Sequence, residues 1–235
     1  MSIKDPVNPA KPEEKPSFSE RLNDFLRANR VALFAVAALI VAGVVGLGVS
    51  SAINQSKLKS STEALEKLES RFEEWAQTEE AARATLSAEL LTEADALVAR
   101  YGKLYAGLRA GFMKARLHFA ANDYAAAEAA YAAVAAAGPK SHLAPVALAN
   151  AAAMAEEKGD LEKAIAYLKE AEAKYPKAPG AARNTFNIGR LYEGMKDYKA
   201  AMSAYAALVA AGQDNDWTNL ARSRIIHLRA LGLAQ

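Results

Sequence analysis

The sequence predicts an all-α protein: an N-terminal transmembrane helix and stalk, then a solenoid of helical hairpins closed by a C-terminal capping helix. Three observations carry that prediction. Alanine fills 56 of the 235 positions, and Ala loses no side-chain entropy on entering a helix. Residues 31–53 include no charged side chain, and about 20 apolar residues cross a bilayer core as a helix. A 37-residue period runs through the second half of the chain, and internal periods of that size mark stacked helical units.

Composition narrows the function. Lys and Arg number 29 against 27 Asp and Glu, a net charge of +2, so electrostatics do not nominate a nucleic-acid binder. The chain has no cysteine, which excludes disulfides, thiolate metal sites and cysteine nucleophiles. Its three histidines, His118, His142 and His227, share no helical turn, so a helix-borne zinc pair is absent. His118 reads as a core residue; His142 and His227 read as structural or solvated. There is no phosphate loop, dinucleotide fingerprint or nucleophile elbow. The pairs Glu73-Glu74 and Glu156-Glu157 are adjacent, so their carboxylates leave a helix in different directions. The expectation is a protein-binding device, with no cofactor, no small-molecule substrate and no enzymatic activity.

Residues 1–16 hold four of the eight prolines, mixed with Lys and Glu. They predict a disordered tail, because they cannot bury a core. Residues 17–30 begin with Ser17 and Glu20 at capping-box spacing. Phe18, Leu22, Phe25 and Leu26 then share one face. This segment reads as an amphipathic juxtamembrane helix or as an extension of the span. Residues 31–53 are the predicted transmembrane helix. Its apolar run exceeds the roughly 7–15 residues of a signal peptide, so an uncleaved anchor is expected over cleavage near Ser50 and Ala52. Ala38, Ala42, Gly46 and Ser50 recur every four residues, a spacing that lets helix backbones approach closely in lipid.

Arg21, Arg27 and Arg30 before the span nearly balance Lys57, Lys59 and Lys67 after it. The large C-terminal part tips the expectation to a cytoplasmic N-terminus and an outward repeat domain. Residues 54–79 predict a helical stalk. In it Leu58, Leu65, Leu68, Phe72 and Trp75 form a short heptad seam, suited to a partner helix or to the chain's own next helix.

Residues 80–235 contain the repeats. NDYAAAEAAY from Asn122, GDLEKAIAYL from Gly159 and KDYKAAMSAY from Lys196 align at an offset of 37. Asp123, Asp160 and Asp197 read as N-caps that start a second helix. Ala127, Ala164 and Ala201 read as the points where two helices cross closely. Tyr131, Leu168 and Tyr205 fill the same face one turn on. Pro139 and Pro176 follow the second helix, which a proline cannot continue. A single hairpin cannot bury its apolar face, so the units stack. Lys163 reads as solvated surface, where a Gln would cost under about 0.5 kcal/mol.

The run Asn187-Ile188-Gly189-Arg190-Leu191-Tyr192 carries an apolar–Gly–x–x–Tyr pattern, followed by Ala201, Tyr205 and Leu208. In these motifs the chain resembles the tetratricopeptide repeat family, over roughly residues 80–231. The second unit has Ala152 and Ala155 at the Gly and Tyr positions, and the first has Ala115 and His118. Gln213 stands where the third unit would have its closing proline. The period also exceeds the family's usual length of about 34 residues. From Trp217, the positions Leu220, Ala221, Arg224, Ile225 and Leu228 predict a terminal capping helix.

The resemblance implies that first helices line a concave, partner-binding face. Arg109, Phe112 and Arg116 in the first unit match Arg183, Phe186 and Arg190 in the third. Asn150 and Asn187 share one register. Together these eight are the predicted groove residues, with Arg suited to carboxylates and Phe to apolar or cationic groups. The alternative is that the arginines pair with Glu156, Glu193 or the capping helix. The overall layout is similar to that of the membrane-anchored ancillary Sec-translocon subunits. That likeness implies a single-pass bacterial inner-membrane protein with a periplasmic repeat domain. It also implies adaptor or chaperone work with the translocon, periplasmic folding factors and client polypeptides. An envelope-assembly scaffold and a cytosol-facing tethered scaffold are the other readings.

Overall fold

Ten helices and no strand make up the described residues, 17–212 and 214–233, of the computed structural model. The chain is all-α, as its composition predicts. Residues 1–16, expected to be a disordered tail, and Gln213 lie outside the described residues. The chain divides into two units at Ser56–Lys57.

In the first unit, α1 (Phe18–Ala28) starts at a complete capping box. The Ser17 side chain accepts from the Glu20 amide, and the Ser17 amide donates to the Glu20 carboxylate at 2.8 Å. Phe18, Leu22, Phe25 and Leu26 are all exposed. The next helix, α2 (Arg30–Gln77), has 48 residues. Its early residues, among them Phe34, Leu39, Val44 and Leu47, are exposed although apolar. Among the described residues it is the one helix long and apolar enough to cross a membrane.

In the second unit, the end of α2 packs with α3 (Glu80–Tyr101) and α4 (Tyr105–Ala120). Leu65, Leu68, Phe72 and Trp75 are buried against Leu90, Ala94, Met113 and Leu117. The chain's own helices thus cover that part of the seam, while Leu58 stays exposed. Trp75 Nε1 donates to Ser87 Oγ at 2.8 Å, and Arg71 is clamped by Glu89 and Glu93.

Three hairpins follow: α4 with α5 (Tyr124–Ala137), α6 (Leu143–Glu157) with α7 (Leu161–Lys174), and α8 (Ala181–Gly194) with α9 (Tyr198–Ala210). Each turns in the same way. Asn122, Gly159 and Lys196 have positive φ, at 57°, 79° and 62°, which reverses the chain after the first helix. The amides of Asp123, Asp160 and Asp197 then reach back to the carbonyls of His118, Ala155 and Tyr192. The same three aspartates cap the next helix, accepting from the amides of Ala126, Lys163 and Ala200 at 3.0–3.1 Å.

Ala127, Ala164 and Ala201 have 0% exposure at the helix crossings. Tyr131, Leu168 and Tyr205 are buried beside them. Gly189 belongs to the same close packing, since a Cβ there would lie 2.5 Å from the Tyr205 ring. The second helices α5 and α7 end just before Pro139 and Pro176. The third has no proline, and α9 is followed instead by Gly212 at φ +69°, a glycine helix stop. Finally α10 (Asp216–Ala230), capped by Asn215, covers the last hairpin with Ala221 and Leu228 buried.

Lys163 is an exposed surface residue, as the sequence reads, but its charge is engaged. Its ammonium lies 2.6 Å from Glu128, which is 3% exposed. Lys158 and the Tyr167 hydroxyl bond the same carboxylate at 2.9 and 3.0 Å, stitching α5 to the α6–α7 hairpin. Burial pushes the Glu128 carboxyl up, but hydrogen bonds from Lys163, Lys158 and Tyr167 outweigh it and hold the pKa below its ordinary value.

Two outcomes follow from this packing. Gly189→Ala must push the Tyr205 ring aside, and it should destabilise the protein by about 1–3 kcal/mol. An unchanged melting curve would show that the helices do not meet there. Glu128→Gln should lower the melting temperature at neutral pH. The depressed native pKa gives a stabilisation that is complete above the ordinary carboxylate value and is lost as pH falls through the native one. The gap between wild type and variant should therefore close between about pH 5 and pH 2; a pH-independent gap would contradict the ionic role.

Candidate partner-binding groove

Among the first helices of successive hairpins, α4 lies beside α6, and α8 beside the capping helix α10. A cavity of ≈ 530 Å³ opens between α6, α8 and the start of α10. Val146 and Ala149 form one wall, Arg183 and Asn184 the other, and Trp217 closes the end. His142, Pro145, Ala178 and Pro179 connect it to a second cavity of ≈ 690 Å³ over the hairpin loops, bordered by Lys140 and Lys177. Among the described residues, no carboxylate lines either cavity.

The loops that form this mouth are held in place. The Tyr175 hydroxyl donates to the Pro139 carbonyl at 2.8 Å, tying together two successive loops. The Tyr105 ring stacks on His142 at 5.7 Å. The apolar lining and cationic border suit a ligand that is apolar at one point and acidic beside it.

The eight residues singled out from the sequence fall into different surroundings. Arg183 is exposed and lines the cavity, with no ion-pair partner among the described residues. Arg190 is engaged by both carboxylate oxygens of Glu156, at 2.6 and 2.7 Å. Arg109 donates to Glu69 on α2 at 2.8 Å. Arg116 sits over the Phe72 ring, 4.8 Å from its centroid. Phe112 is buried edge-on against Tyr131 at 5.0 Å. Phe186 packs between Tyr205 and Trp217 at 5.4 and 5.6 Å. Asn150 and Asn187 are half-buried on α6 and α8. Glu193 pairs with Arg224 of the capping helix, which fastens α10 to α8.

Sequence reasoning missed Asn184. This residue is 3% exposed, and its Oδ1 has no hydrogen-bond partner among the described residues. A signal was available: 37 and 74 residues earlier the same register holds Ala147 and Ala110, both fully buried. Ala149 was missed in the same way. Its register holds Phe112 and Phe186 in the other two hairpins, and the cavity opens where the middle hairpin lacks that ring.

A stacked-hairpin solenoid with a groove along its first helices defines a protein-interaction scaffold. The chain belongs to the tetratricopeptide repeat-like domain family, whose model matches residues 23–178. A tetratricopeptide repeat model also matches residues 155–216. A TPR repeat-containing protein of Treponema pallidum (strain Nichols) is 33% identical over 118 residues, which cover 50% of this chain and 49% of that protein. The match therefore spans about half the length of that relative. Two crystal structures of a Podosopora anserina kinesin light chain with nearly identical TPR-like repeats share the fold. Their TM-scores are 0.52 and 0.53 at 15% identity, covering 72% of this chain and 88% of each of theirs.

Proposed function

We propose that this protein is a membrane-anchored adaptor whose tetratricopeptide array works in the periplasm, as an ancillary subunit at the Sec translocon. One observation carries the reading. An apolar stretch that no other described residue covers precedes, in the same chain, a repeat array with an open cationic groove. Such a stretch has no favourable aqueous state, and as a helix it satisfies its own backbone in lipid. The anchor holds the array at the membrane, where emerging polypeptides and folding factors are met at high local concentration. Arg183 would draw acidic segments and speed encounter, while Arg109, Arg116 and Arg190, engaged by Glu69, the Phe72 ring and Glu156, would steady the helices around it. The rings of Phe112 and Phe186, with Asn150 and Asn187 between them, would shape and firm the groove wall. Ala38, Ala42, Gly46 and Ser50 would offer the span a close-packing face for a membrane partner.

The test is a phosphatase fusion after Gln235, read beside carbonate extraction and cross-linking of the full chain. Phosphatase activity, retention in the membrane at alkaline pH and cross-links to translocon subunits are the expected results. Activity of a cytosolic reporter at the same position would overturn the orientation. Release by carbonate would overturn the anchor, and cross-links that exclude the translocon would overturn the placement there.

A further inference from the structure

We propose that the hollow where α1 meets α2 binds one anionic phospholipid, its phosphate held by Arg27 and Arg30 and an acyl chain lying along Leu33, Phe34 and Ala37. The inference rests on the membrane-anchor part of the function proposed above and gives that anchor a specific lipid. Shape, the order of the lining residues and charge lead to it.

Shape comes from a break in the helix. α1 ends at Ala28 and α2 begins at Arg30, with Asn29 between them at φ −108° and ψ 13°. The Asn29 amide and its side-chain Nδ2 both donate to the Phe25 carbonyl, at 3.0 and 2.9 Å, which holds the break at this residue. Across it Leu26, Arg27, Arg30, Leu33, Phe34 and Ala37 line a cavity of ≈ 460 Å³. Their spacing of three and four residues places them on one face.

The lining changes character along the chain. Both arginines stand before the uncharged run of residues 31–53, and Leu33, Phe34 and Ala37 lie inside it. The helix rises about 10 Å from Arg30 to Ala37. In a bilayer that sets the guanidinium groups at headgroup level and the apolar end among the acyl chains. Phe18, Leu22 and Phe25 of α1 are exposed, a face that lies in the interface and keeps Arg27 at that level. A phospholipid has the same two ends in the same order.

Charge selects an anionic lipid. Among the described residues neither arginine has an ion-pair partner, and no carboxylate lines the hollow. The repeat domain treats its arginines differently: Arg71, Arg109, Arg190 and Arg224 are each held by a glutamate. A cation at the edge of hydrocarbon is costly until it is paired. The guanidinium fork matches two oxygens of a phosphate, so the lipid supplies the missing partner. An acidic protein segment would meet the arginines, but would have to carry its backbone down to Leu33, Phe34 and Ala37, where unpaired polar groups are costly. A partner helix on the small-residue row leaves the hollow open, because Ala38 lies about 100° round the helix from Ala37.

The test is native mass spectrometry of the full chain, released from detergent after titration with dioleoylphosphatidylglycerol or dioleoylphosphatidylcholine. Wild type should take up one phosphatidylglycerol with about ten-fold or greater preference over phosphatidylcholine. Arg27→Gln combined with Arg30→Gln should abolish that preference. Ala37→Phe fills the apolar end at unchanged charge and should weaken uptake of phosphatidylglycerol by about three-fold or more. Arg21→Gln removes a charge of α1 outside the hollow and should change uptake by less than about two-fold. Equal losses on Arg21→Gln and Arg30→Gln would overturn the site, by reducing it to general attraction to an anionic surface. So would absence of any preference for phosphatidylglycerol, displacement of the lipid by excess inorganic phosphate, or a dimer that takes up none. Carbonate extraction tests the anchor separately. Wild type retained in the membrane without lipid preference would keep the anchor while the site falls; release of wild type would remove the anchor itself.

Discussion

Everything in the array depends on how closely the two helices of each hairpin cross. Ala127, Ala164 and Ala201 lie at the crossings with no exposed surface, so any larger side chain would hold the helices apart. Close crossing brings Tyr131, Leu168 and Tyr205 under cover, and these residues in turn support the first helices that face the groove. Interiors packed at crystal-like density do not absorb such changes quietly. The spacing of the small residue thus sets the pitch of the whole solenoid, and with it the distance between α6 and α8 across the cavity.

The repeat was legible because its determinants are local. A capping aspartate, a small residue four positions later and a larger one after that act within a few turns of the same chain segment. Asn122, Gly159 and Lys196 take the same positive φ despite their different chemistry, which shows that the turn is imposed by the unit and not by one residue type. Partners outside the local window were not legible in the same way. Glu128 gathers Lys158, Lys163 and Tyr167 from 30 to 39 positions away. Arg109 meets Glu69 across 40. Neither pairing leaves a periodic trace, so charges that looked solvated became the ties between elements.

Departures from the repeat carry information of another kind. Where a register is filled alike in all units, packing explains it. Asn184 in a register of buried alanines, and Ala149 in a register of phenylalanines, have no packing explanation and sit on opposite walls of one cavity. A protein-interaction scaffold needs such exceptions, because a perfectly regular array would offer the same shallow surface everywhere. The middle hairpin gives up a ring contact and the third gives up a satisfied interior, and the groove deepens where they meet.

The central claim is that the crossing alanines set the geometry of the array. Equilibrium unfolding of the full chain carrying Ala164→Leu, compared with Ala166→Leu two positions along the same helix, tests it most directly. Ala164 is fully buried and Ala166 exposed. The account predicts a loss of about 1–3 kcal/mol at 164 from overpacking, against under about 0.5 kcal/mol at 166. Equal effects at the two positions would contradict it.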